Sequence, residues 1–117
     1  MEIKTTYLSG RFLDWAVANS MGVDVEITEN GTLKLPCGEV YSPSTNWSQG
    51  GKLIDEFMLE FDRQWTGIGA YNLNRQGTNL APDGAGETHL IAACKAVVYS
   101  RYGLKFVIPR EVFKRLA

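Results

Sequence analysis

Residues 87–102 read Glu87-Thr88-His89-Leu90-Ile91-Ala92-Ala93-Cys94-Lys95-Ala96-Val97-Val98-Tyr99-Ser100-Arg101-Tyr102. Leu90, Ile91, Cys94, Val97, Val98 and Arg101 recur with the spacing of a single buried stripe on an α-helix. Gly103 stands where a helix commonly stops in a left-handed residue. Working outward, the period changes. Leu104-Lys105-Phe106-Val107-Ile108 reads as a short strand, and Pro109 can open a terminal helix through Leu116. On the other side, residues 72–86 are rich in Asn, Gly, Pro and Asp. A connector of that length is uncommon in a compact domain and tends to be functional.

Further out, residues 59–72 read as strand, with Phe61 and Trp65 on one face and Gly67 and Gly69 marking a bulge or close approach. Residues 50–58 read as a short helix carrying Leu53, Ile54 and Phe57. Val23-Asp24-Val25-Glu26-Ile27 alternates with period two, and Asn30-Gly31 before Thr32-Leu33-Lys34-Leu35 predicts a hairpin with a type I′ turn. Ser9 and Gly22 bracket a helix over 10–21. Phe12, Leu13, Ala16, Val17, Ser20 and Met21 share one side of it, and Trp15 lies opposite, one turn from Arg11. Residues 2–7 read as a first strand. The expected fold is α+β: a small, mostly antiparallel sheet with three to four helices packed mainly on one face. The chain of 117 residues fits a single domain, 1–117.

Twelve Lys+Arg against thirteen Asp+Glu leave a net charge of -1, with no basic block. Duplex nucleic acid is therefore not an expected partner, because that binding rests on neutralising phosphates. Cys37 and Cys94 belong to no Cys-x-x-Cys pair, which suits a reducing compartment. The first residues carry no apolar core of a signal peptide, and no run is long enough for a membrane span. Asn30-Gly31-Thr32 and Asn46-Trp47-Ser48 then read as coincidental sequons.

Catalytic constellations are scarce. His89 is the single histidine, so any Ser/His/Asp or Cys/His arrangement would have to use it. One histidine without a cysteine cluster argues against zinc, and no cofactor is expected. Gly50-Gly51-Lys52 is followed by Leu53 where a phosphate loop needs Ser or Thr, and position 46 is Asn where the first Gly belongs. Gly67-Ile68-Gly69 and Gly84-Ala85-Gly86 lack the third glycine of a dinucleotide fingerprint. Asp55, Glu56, Glu60 and Asp62 read as a solvated face, whereas Asp14 is placed to anchor a loop through backbone N–H groups.

Tyr41-Ser42-Pro43-Ser44-Thr45-Asn46-Trp47-Ser48-Gln49-Gly50-Gly51-Lys52-Leu53 is the richest binding element. Tyr41 and Trp47 offer faces for stacking. Ser44, Thr45, Asn46 and Gln49 offer hydrogen bonds, and Gly50 and Gly51 let backbone N–H groups come close. One of Ser44, Thr45 or Asn46 is expected to cap the helix that follows, and a capped N-terminus is itself an anion site. Trp15, lying off the apolar stripe, joins the candidates. Arg11 and Arg75 are candidates for phosphate, with Gln76 and Asn79 near Arg75. Thr88 and His89, at a second helix start, are candidates for the far wall.

Three segments in this order resemble the NinX-like family of small phage and prophage proteins. They are Leu8-Ser9-Gly10-Arg11-Phe12-Leu13-Asp14-Trp15-Ala16-Val17-Ala18, Tyr41 to Gly51, and Gly86-Glu87-Thr88-His89-Leu90-Ile91-Ala92-Ala93 running to Gly103. The Pro-Ser-Thr-x-Trp-x-Gln-Gly-Gly core is the specific part. The sequence departs from the family's pattern at Asn46, where Asp is expected, and at Glu87 and His89, where Pro is usual. The resemblance implies a phage accessory protein in the bacterial cytoplasm and carries no established activity.

The expected function is non-catalytic capture of a small nucleotide-like ligand, with a host immune signalling nucleotide as the expected one, so that the protein acts as a sponge. A homodimer would deepen a shared cleft. One alternative is a protein-interaction factor that binds and inhibits a host enzyme, with the aromatic loop as a hot spot. Another is metal-independent nucleotide cleavage by Asp14 or Glu87 with His89.

Overall fold

The computed structural model describes residues 1–72 and 81–117. In chain order the described elements are β1 (Glu2–Lys4), a 3-10 turn (Thr5–Tyr7), α1 (Gly10–Met21), β2 (Glu26–Ile27), β3 (Leu33–Lys34) and α2 (Trp47–Glu56). β4 (Leu59–Gln64), β5 (Gly67–Asn72), β6 (Gly84–Gly86), α3 (His89–Tyr102), β7 (Lys105–Val107) and α4 (Arg110–Leu116) follow. The fold is α+β, as expected. Its strands form three small antiparallel sheets among the described residues: β1–β7, β2–β3 and β4–β5–β6.

α3 is the axis of the molecule. Leu90, Ala92, Ala93, Cys94, Ala96, Val97 and Val98 are all buried, so it is enclosed on most sides rather than on one stripe. Arg101, placed on that stripe by periodicity, is exposed. On one side Cys94, Val97 and Val98 pack with Leu8, Leu13, Val17, Leu53, Phe106 and Ile108. On the other, Ala92, Ala93 and Ala96 pack with Leu59, Ile68 and Ala70. A third cluster joins Ala18, Ile27, Leu33, Tyr41 and Leu116 around the β2–β3 hairpin.

The alanine face of α3 explains β6. A Cβ built on Gly84 would lie 2.4 Å from both the Ala92 carbonyl oxygen and the Ala96 nitrogen. Only glycine lets a strand run so close to helix backbone. Part of the expected 72–86 loop is thus sheet, with Ala70 paired to Gly84 and Ile68 to Gly86. The expected single strand over 59–72 is a hairpin: Gln64 pairs with Gly67, and Trp65 and Thr66 form the turn. Trp65 is consequently fully exposed at the tip and shares no packed face with Phe61.

The expected type I′ turn is not formed. Gly31 has φ +79°, but Asn30 lacks the positive φ such a turn needs. Instead the Gly31 N–H donates to the Thr28 carbonyl (2.9 Å), and the Thr32 N–H donates to the Thr28 hydroxyl (3.1 Å). Arg11 holds this tip through the Asn30 carbonyl at 2.8 Å. Arg115 holds its base through the Ile27 carbonyl. Trp15 is covered rather than free: it packs edge-on against Phe106, with ring centroids 5.8 Å apart.

Candidate functional site

α2 begins at Trp47, three residues before the expected start, because Asn46 caps it: the Asn46 side chain accepts from the Ser48 N–H at 2.9 Å. Trp47, Ser48, Gln49, Gly50 and Gly51 are therefore helical. Gly50 is a packing requirement: a Cβ there would fall 2.1 Å from the Pro43 carbonyl oxygen and 2.9 Å from Leu90. The Gln49 side chain closes the preceding turn. Its amide nitrogen donates to the Val40 carbonyl (2.7 Å) and to Glu39 (3.2 Å), and its oxygen accepts from the Ser42 N–H at 2.6 Å. Asp14 anchors the other end by accepting from the Ser44 N–H at 2.9 Å. Burial pushes the Asp14 carboxyl above its ordinary range, and the bonds from Ser44 pull it part of the way back. Much of the polar content of this segment thus builds the segment itself.

Two clefts flank it. One, of about 440 Å³, has apolar lining from Met21, Val23, Leu35 and Leu53, with Glu39, Tyr41, Ser48, Gln49, Lys52 and Glu56 completing it. Burial pushes the Tyr41 phenol up to about 12, so it stays a neutral donor. The other, of about 380 Å³, is lined by Leu8, Ser9, Gly10, Leu13, Ser44, Thr45, Gly86, Glu87, Ile91 and Lys95.

The second cleft lies where three helices start. Ser9 and Gly10 open α1, Ser44 and Thr45 lead into the Asn46 cap of α2, and Gly86 and Glu87 lead into the Thr88 cap of α3. The Thr88 hydroxyl accepts from the Ile91 N–H at 3.1 Å. The Ser9 side chain makes no capping bond, which leaves first-turn N–H groups of α1 without that partner. Each helix start carries the positive end of its dipole. Lys95 adds a full charge. Its ammonium donates to the Thr6 carbonyl at 2.8 Å, and burial lowers its pKa from the ordinary lysine value.

Of the residues expected at the site, Ser44 and Thr45 line this cleft, while Tyr41 and Gln49 line the other. Thr88 sits at the α3 edge as a cap, and His89 is exposed there, edge-on to Phe61 at 5.0 Å. Trp47 is 60% exposed. It lies on the flank of α2 that carries Ile54, which packs on the α3 and β4–β5 cluster, away from Gln49 and Lys52. Gly51, one turn on, keeps a Cβ position 3.5 Å from the indole. Arg11 turns to the hairpin tip, Trp15 to the core, and Arg75 lies outside the described residues. Sequence reading missed Ser9, Gly10, Glu87 as a cleft residue and Lys95. The available signal for Lys95 was a lysine in the middle of an otherwise apolar helix.

Among the described residues, no group of three or more His, Cys, Asp and Glu side chains could hold a metal, and no helix is long and apolar enough to cross a membrane.

The fold and cleft define a small α+β protein with a recess where three helix starts of one chain meet. The chain belongs to the NinX family: the family model described as Bacteriophage P22, NinX matches residues 4–101. It is a phage-family protein, and the match spans all three segments that meet at the recess. No curated protein matches the sequence.

Proposed function

We propose that this protein binds a small nucleotide-like anion in the cleft between the three helix starts and holds it without cleaving it. The observation that carries the reading is the convergence of Ser9–Gly10, Ser44–Thr45 and Gly86–Glu87 on one recess that also contains Lys95. Helix N-termini and a lysine suit phosphate. A volume of about 380 Å³ falls at the small end of ligand pockets, which run from roughly 300 to 1,000 Å³. Trp47 would stack on a base at the mouth, on the α3 side of α2, a contact worth roughly 1–3 kcal/mol. In the bacterial cytoplasm during phage growth, such a protein would act as a sponge for a host immune signalling nucleotide.

A thermal-shift screen against cyclic dinucleotides, ADP-ribose derivatives and NAD tests this, because a ligand selective for the folded state raises the melting temperature. Recovery of the intact ligand by mass spectrometry separates capture from cleavage. No shift with any of them sinks the reading.

A second reading, inhibition of a host enzyme by direct contact, draws on the exposure of Trp47 and Trp65. Exposed tryptophans are common anchors of protein interfaces. A host protein that co-purifies with the wild type and is lost with Trp65→Ala would favour it.

A further inference from the structure

Glu87 and Lys95 line the same cleft, yet they form no ion pair. The Lys95 ammonium is held by the Thr6 carbonyl, and among the described residues no hydrogen bond or salt bridge occupies the Glu87 carboxylate. A cleft with opposite charges that do not neutralise each other is bipolar. A purely anionic ligand such as inorganic phosphate would meet the cation and also the carboxylate, at a cost in repulsion. A ligand with an anionic end and a donor-rich end satisfies both. Ser44 and Thr45 line the same cleft, but Ser44 is buried with its N–H already given to Asp14. The Glu87 carboxyl group, with two acceptor oxygens, suits a pair of vicinal hydroxyls, each donating one hydrogen bond.

We propose that the cleft selects a ribonucleoside 5′-phosphate unit, with the phosphate toward Lys95 and the ribose 2′- and 3′-hydroxyls donating to Glu87. This rests on the nucleotide-binding reading above and adds the sugar and the polarity. Because the carboxylate can only accept, removing one hydroxyl leaves it partly unpaired, and hydrogen bonds to charged groups are the strong ones.

Isothermal titration with the full chain tests it, using the four ribonucleoside 5′-monophosphates, their 2′-deoxy analogues and inorganic phosphate. The wild type should bind at least one ribonucleotide about 10- to 100-fold more tightly than its deoxy analogue. Glu87→Gln should abolish most of that preference while binding inorganic phosphate as well as or better than the wild type. Lys95→Gln should weaken ribo- and deoxyribonucleotides together and leave the preference in place. Glu87 is exposed, so its substitution should leave the melting temperature within the range of other surface changes. Equal binding of ribo and deoxy forms by the wild type overturns the assignment of Glu87 while leaving nucleotide capture standing. A preference that survives in Glu87→Gln does the same. Binding of none of these nucleotides overturns the ribonucleotide assignment, and nucleotide capture falls with it only if the thermal-shift screen is negative as well.

Discussion

The two clefts beside the Tyr41–Gly51 segment are close in size, about 440 and 380 Å³, and differ in what they expose. The larger has apolar lining from Met21, Val23, Leu35 and Leu53, and Gln49, which also lines it, is already committed to Val40, Glu39 and Ser42. Both carry charge, Lys52 with Glu39 and Glu56 in the larger and Lys95 with Glu87 in the smaller, but only the smaller gathers the starts of three helices. Polarity in a sequence segment does not by itself mark a ligand site. A polar side chain buried beside backbone is first claimed by the backbone's own unsatisfied groups. The charged residues of the smaller cleft, Glu87 and Lys95, lie outside the segment.

The largest expected effect comes from removing the contact that sets both clefts at once. Gly50→Ala places a methyl 2.1 Å from the Pro43 carbonyl, so α2 must shift away from Pro43 and α3. Overpacking of this kind costs about 1–3 kcal/mol or more, and a fall in the urea midpoint checks it. Trp15→Ala should cost about 3 kcal/mol, at the low end for a packed tryptophan because the ring is only half-buried against Phe106. Trp47→Ala should stay within about 0.5 kcal/mol in the same assay, since its indole is 60% exposed. A large loss there would make Trp47 a packing residue and remove it from the cleft mouth.

Next in size is the contrast between the clefts themselves. Lys95→Gln should weaken nucleotide binding about 10- to 100-fold, whereas Lys52→Gln, on the other cleft, should leave it unchanged. Equal losses from both would mean that the clefts do not differ as described.

The smallest effect is a pH dependence. The folded-state pKa of Asp14 is raised, so the folded protein holds that proton more tightly than the unfolded chain does. Between the ordinary value of 3.8 and the raised one, this group's contribution to stability rises as pH falls, opposite to a salt-bridged carboxylate. Asp14→Asn should keep an acceptor for the Ser44 N–H and flatten that part of the profile. Urea midpoints at about pH 7 and about pH 4.5, compared with the wild type, check the sign.

How much could be read in advance follows from where the information lies. α1 and α3 were legible because periodicity and end signals are local: Gly22 adopts φ +67° at the end of α1, and Gly103 follows α3, whose start at His89 behind the Thr88 cap lies two residues after the expected one. The start of α2 was hidden because Gly50-Gly51 looks like loop. Its reason, the approach of Pro43 and Leu90, comes from elsewhere in the chain. β6 was hidden likewise, since Gly-Ala-Gly has little strand propensity and pairs because the alanine face of α3 leaves room only for glycine. Trp65 was misplaced because its strand turns at that point, and Trp-Thr gives little turn signal.

By itself the sequence determined the α+β class, the two long helices with their ends, and the family, whose three segments stand in order along the chain. Only the tertiary structure decided that those segments meet, that Gln49 and Asp14 hold backbone, and that Lys95 and Glu87 face one recess without pairing. The physical reason is range. Helical period and capping act over a few residues, whereas a cleft is built by groups as far apart as Ser9 and Lys95, which become neighbours only when α1 packs against α3.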